Sequence, residues 1–354
     1  MRIRKPLLLL FCTLTFMVLL PAVSACSFPT SKDITVYDET ELIDAISKAA
    51  NNKNRNIELG DDIVLSVEFF TIPDKKVITL TGNKSLIGRD ESYTVWVGGT
   101  LNIDGITVTH MDGSIGSGVT INEGGVLNLV SGVIKGNNDQ RTYGGGVHNR
   151  GTFNMYGGEI SGNSAQYGGG VDNSFFGGMF NFYDGKICDN TAAKAYGGGV
   201  QSSCLFRMFG GEITDNIGDG VYIYDGIFEL SGGKISYNTL GGVNVGGTIN
   251  NPKNAFTMSG GEISNNTGSG VILSANPNCL NSFVMTGGII CGNKTESYGG
   301  GISCYPNRGV SITITNGEIS NNSATYGGGI WIDVRQLSNL TISPGVVFLT
   351  LPQS

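Results

Sequence analysis

From about residue 127 onward the chain repeats one pattern of apolar and polar positions. In its clearest copy Phe153 and Met155 alternate with polar residues, Ile160 follows a glycine pair, and Val171 follows a glycine triplet. Alternation with period two predicts strands, not helices. The unit F-x-M-x-G-G-x-I-x-x-N recurs as FNMYGGEISGN, FNFYDGKICDN, FRMFGGEITDN, FELSGGKISYN, FTMSGGEISNN, FVMTGGIICGN and ITITNGEISNN. A looser LNLVSGVIKGN precedes these copies and LTISPGVVF follows them. The isoleucines fall at 134, 160, 187, 213, 235, 263, 290 and 319, and each unit then carries a second signal, G-G-V or G-G-I.

Three short strands separated by glycine-rich corners in each repeat of roughly 26 residues describe one coil of a parallel β-helix. The expected fold is therefore all-β, a right-handed solenoid of about ten coils, the hand following from the general preference of parallel crossovers. Coils stacked ~4.8 Å apart bury an apolar side that no single coil could bury alone. Two columns support this register. Asn137, Asn163, Asn190, Asn216, Asn238, Asn266, Asn293 and Asn322 would form a ladder in which each amide donates to one neighbour and accepts from the other. Glu159, Lys186, Glu212, Lys234 and Glu262 alternate in sign, so successive coils would attract rather than repel.

Upstream the repeat is irregular. DETELIDAISKAANN predicts a short amphipathic helix over residues 38–50, with Asp38 as N-cap, Glu41 completing a capping box, and Leu42, Ile43 and Ile46 on its apolar side. Such a helix would cover the open first coil, whose unpaired strand edges invite aggregation. Residues 57–115 are expected to form irregular coils and residues 116–350 regular ones, all within one β-helix domain spanning 38–354. No cap is apparent after VVFLTLPQS, which predicts a frayed last coil.

The N-terminus changes the picture from fold to address. Arg2, Arg4 and Lys5 precede the apolar run PLLLLFCTLTFMVLLP, as in an export signal. VSAC, Val23 to Cys26, resembles a bacterial lipobox, which implies removal of residues 1–25, lipidation of Cys26 and a tether over 26–37. Membrane attachment through that lipid is the expected partner interaction, and Ser27 after the cysteine suggests an outer-membrane or cell-surface location. Removing the signal loses three positive charges and no acid, taking the net charge from −7 to −10. With no basic cluster, nucleic acid is excluded as a partner. Cys188, Cys204, Cys279, Cys291 and Cys304 remain, an odd number without metal-site spacing; Cys279 and Cys304 could meet across adjacent coils. No metal or cofactor is expected.

The GGxIxxN and YGGG[VI] repeats resemble bacterial surface β-helices of the pectin-lyase-like superfamily, particularly polymorphic-outer-membrane-protein-like and adhesin-like repeat proteins, over about residues 100–350. That resemblance implies a surface protein binding glycans, matrix or other cells. The superfamily also contains polysaccharide lyases and hydrolases, so an active site is to be weighed, as is a passive structural or antigenic envelope role. GIWIDV, Gly329 to Val334, is similar to the WIDH segment of pectate lyases but has Val334 in place of the histidine, and the polygalacturonase motifs are missing. The acid candidates are Asp189 and Asp215, equivalent positions in successive coils, with Asp172 on a neighbouring strand. Paired carboxylates could serve glycoside hydrolysis or bind a cation, yet Gly162, Tyr237 and Asn265 occupy the same column, as expected of a corner residue. His148 is expected to be a solvated surface residue.

A binding surface is the better-marked candidate. Between ladder asparagine and the next Val or Ile, successive repeats hold 9, 7, 9, 4, 4, 4, 8 and 7 residues. The long corners carry Tyr143, Tyr167, Tyr196, Tyr298 and Tyr326; the short ones, 217–220, 239–242 and 267–270, carry none. Three retracted coils would leave a notch roughly 14 Å tall at ~4.8 Å per coil. Tyr167, Tyr196, Tyr222, Tyr224, Tyr298, Tyr305 and Trp331 are its candidate ligand-binding residues, aromatic faces beside polar groups suiting sugar rings. The competing expectation is that these rings stack on one another as corner packing.

Overall fold

The computed structural model describes residues 34–89, 91–173, 177–247, 253–274, 280–305, 310–333 and 339–349. The expected signal segment, Cys26, Cys279 and Val334 lie outside them. The F-x-M segments form a sheet of 13 strands, the x-I-x segments one of 12, and the V-x-N segments one of 11. We call them the phenylalanine, isoleucine and valine sheets. They wind a right-handed parallel β-helix of about 11 turns. The stack begins at Ile34–Val36, within the stretch expected to be tether, and the coils over 57–115 already pair in the same register as the later ones.

Register follows the sequence repeat. Phe153, Phe180, Phe206, Phe228, Phe256 and Phe283 are successive partners in the phenylalanine sheet. Their rings stack inside the coil with centroids 4.6, 4.7, 4.6, 5.0 and 4.9 Å apart. All six are fully buried, and burial of each such ring contributes about 1.5–3 kcal/mol. The asparagine ladder forms throughout: Nδ2 of each member donates to Oδ1 of the next at 2.8–3.0 Å from Asn137 to Asn322. The same Oδ1 also accepts the preceding asparagine's backbone N–H, as Asn238 does from Asn216 at 3.1 Å. At the head of the column, Nδ1 of His110 stands 2.9 Å from Asn137 Oδ1, a terminator the repeat pattern did not reveal.

Glycine serves two different needs at the G-G-V corner. The first glycine of YGGG takes a left-handed conformation, as at Gly197 (φ 63°). The last, Gly199, is needed for close approach: a Cβ there would stand 2.6 Å from Ile213 Cγ2 and 3.1 Å from Asn216 Nδ2. In the charge column, Lys234 Nζ and Glu262 Oε1 close to 2.9 Å.

The helix spans Glu39–Ser47. Asp38 Oδ1 accepts from the Glu41 N–H at 2.9 Å, and Glu41 Oε2 accepts from the Tyr37 N–H at 2.8 Å. Leu42, Ala45 and Ile46 join the core, whereas Ile43, expected on the apolar side, is exposed because Ala45 takes its place. At the far end Val347, Phe348 and Leu349 are exposed although their strand still pairs with Glu318–Ser320.

Candidate functional site

The long corners build a feature beyond the three sheets. Asn138–Tyr143, Ser164–Tyr167 and Thr191–Ala192 pair into a fourth, three-stranded sheet. Its coils cover part of the outward face of the valine sheet, where His148, Asp172 and Gln201 are successive partners. All three are consequently buried, His148 to 7 % exposure, which corrects the expectation of a solvated histidine. His148 Nε2 accepts from Arg150 Nε at 2.8 Å, and its Nδ1 lies 2.9 Å from Asp172 Oδ2. Strand parity alone assigned this column to solvent; the cover comes from corners elsewhere in the coil.

Asp172 is therefore separate in kind from Asp189 and Asp215. Those two are exposed, with φ of 57° and 58°, at a corner where Tyr237, Asn265 and Asn321 are also left-handed and Gly136, Gly162 and Gly292 match them. The column selects Gly, Asn and Asp because these tolerate that conformation, which accounts for its composition without a catalytic pair. Among the described residues no group of three or more His, Cys, Asp or Glu is placed to hold a metal ion. Cys188 and Cys304 are buried, and burial pushes their thiols up to about 12 and about 11 respectively.

The cover stops at the three short corners. There the valine-sheet face opens into a cleft of about 460 Å³ lined by residues of all three, Asp219, Leu240 and Thr267–Ser269 among them. Lys194 and Tyr196 stand on one side, in the long corner that precedes the short ones, Thr295 and Tyr305 on the other. Asn244 and Ile272, outward residues of successive strands, complete the floor.

The aromatic candidates divide into two groups flanking this opening. On the first side Tyr143, Tyr167, Tyr196 and Tyr222 stack in sequence at 5.4, 6.4 and 4.7 Å, and Tyr224 tilts against Tyr222 at 5.9 Å. On the second, Tyr298 lies 4.4 Å from Trp331 and 5.2 Å from Tyr326, and Tyr305 meets Trp331 edge-on at 6.0 Å. The rings thus pack on one another, and Tyr196 and Tyr305 additionally line the cleft. Tyr222 is largely covered by its neighbours; burial, with the nearby Tyr196, Tyr224 and acids, pushes its hydroxyl far above the ordinary range.

The floor holds a residue that the sequence reading passed over. Asp219 is only 2 % exposed, and Asn244 Nδ2 donates to its Oδ2 at 3.0 Å. Burial raises its carboxyl from 3.8 to about 7, the Asn244 hydrogen bond opposing the rise. A signal was present. Two residues before each Val or Ile the column reads Gly145, Gly169, Gly198, Asp219, Gly241, Ser269, Gly300 and Gly328, one acid among six glycines and a serine.

Compared with models of known families, with curated proteins and with solved structures, the chain matches none.

Proposed function

We propose that this is a non-catalytic envelope lipoprotein whose β-helix displays a saccharide-binding cleft, anchored through lipid on Cys26. The observation that carries the reading is the cleft itself: three retracted corners, a polar floor of Asp219 and Asn244, and walls bearing Tyr196 and Tyr305. Rings beside hydrogen-bonding groups offer a sugar both its apolar C–H face and its hydroxyl edge. The pectin-lyase-like resemblance of the repeats supports a carbohydrate ligand. Among the described residues lining the cleft, Asp219 is the sole carboxyl, whereas hydrolysis by paired acids needs two. Binding is therefore preferred over cleavage.

The test is a panel of oligosaccharides, neutral, acidic and amine-bearing, presented to the full chain in detergent, with reducing-sugar release followed in parallel. Tyr196 is 43 % exposed, so Tyr196→Ala should weaken binding tenfold or more while lowering the melting temperature by only a few degrees, about 1 kcal/mol of stacking being lost. Absence of binding to every glycan would remove the proposal in favour of a passive envelope role, and unchanged binding by this variant would overturn the cleft as the binding site.

A further inference from the structure

Resting on that reading, we infer that the cleft is selective for amine-bearing saccharides, with Asp219 as the subsite for a protonated amino group. Asp219 lies on the strand Asp219–Tyr224 and is paired with Gly241 on the next coil. A Cβ at Gly241 would stand 3.1 Å from Asp219 Oδ1, so the glycine keeps the space over that oxygen open. Oδ2 is held by Asn244, and the carboxyl lines the cleft. Oδ1 is thus the acceptor offered to a ligand.

What this carboxyl lacks is a cation. The charged and titratable groups around it are Lys194 and Tyr196 on the preceding corner, Tyr222 and Asp225 on and after its own strand, and Tyr305 from the far wall. The following strand, Gly241–Gly246, contributes the neutral Asn244. Although Lys194 lines the same cleft, neither it nor any other cation among the described residues forms an ion pair with Asp219, and burial dominates its titration. A buried carboxyl without a counter-charge is a standing demand for one. A ligand ammonium would meet it, and the adjacent tyrosine faces would favour the same charge. A uronic acid, by contrast, would bring a second negative charge to this floor and be disfavoured.

The probes are a β-1,4-linked glucosamine oligomer and its N-acetylated counterpart, titrated calorimetrically into the full chain. The amine form should bind at least tenfold more tightly, and Asp219→Asn should abolish that preference. Because binding would draw Asp219 into its ionised form, a proton should be released near pH 6, seen as a buffer-dependent heat. With a carboxyl titrating at about 7, loss of its ionised form alone lowers affinity roughly fiftyfold from pH 7 to pH 5, and fuller protonation of the weakly basic ligand amine offsets part of this, leaving a net fall of about tenfold. Since the chain is acidic overall, Asp215→Asn serves as control: it removes an exposed acid outside the cleft and should bind like wild type. Equal binding of both oligomers with no effect of Asp219→Asn would overturn the amine subsite while leaving saccharide binding intact. Equal losses in the Asp219 and Asp215 variants would overturn it in favour of diffuse charge attraction. Binding of neither oligomer, nor of any other glycan, would overturn both proposals together.

Discussion

A buried carboxyl with no counter-charge should weaken the fold, and Asp219 lets that effect be measured. In the unfolded chain it titrates at the ordinary 3.8, in the folded one at about 7. Between these values the folded state holds a proton that the unfolded state has released. Stability contributed at this site is therefore complete below about pH 4, declines as pH rises, and levels off above about pH 7. A rise of about three pH units at 1.36 kcal/mol each corresponds to a loss of about 4 kcal/mol between pH 4 and pH 8. Asparagine in its place keeps the shape, can accept from Asn244, and does not titrate. Urea unfolding of wild type and Asp219→Asn at pH 4, 6 and 8 isolates the effect, since all other groups cancel in the difference. The two proteins should be nearly equal at pH 4, and the variant should be more stable by several kcal/mol at pH 8. A difference that stays constant with pH, or widens toward acid, would refute the assignment of a neutral buried carboxyl.

Asn216→Ala should destabilise by roughly 3 kcal/mol or more, because Asn190 loses the Oδ1 that accepts both its backbone N–H and its side-chain amide; denaturant unfolding measures it, and a loss under 1 kcal/mol would show the ladder to be ornamental. Cys26→Ser should abolish fatty-acid labelling and release the protein from the membrane fraction; unchanged labelling and partition would dismiss the lipoprotein reading.

How far these features were readable in the sequence depended on whether a residue's environment is set within its own column. The ladder asparagines and stacked phenylalanines occupy positions fixed by the period, so each could be assigned from the neighbouring copies. The same was true of the short corners, whose lengths are plain in the chain. His148 failed that test, because its burial comes from corners folded over a face that alternation assigns to solvent. Asp219 stood in view as the one acid in a column of glycines and a serine, but its consequence depended on the depth of the cleft floor. Tyr222 shows the remaining difficulty: an outward ring at a strand position, yet packed between Tyr196 and Tyr224.

The asparagine ladder also has a direction, and direction bears on how the chain assembles. From Asn137 to Asn293 each member donates its backbone N–H and one side-chain amide hydrogen toward the coil that follows it in sequence, while the amide also reaches back to a carbonyl of the coil before, as Asn216 does to Ile187. A chain emerging from its N-terminus first would therefore finish each coil with two donors waiting, and the next coil to arrive would bring the oxygen that takes both. His110 supplies a fixed starting point at the Asn137 end, already engaged before the first waiting pair appears. In a stack where each unit touches only its neighbours, structure can spread from wherever it first forms. Here the waiting donors give that spread a preferred sense, so the β-helix is suited to being built in the order in which it is synthesised.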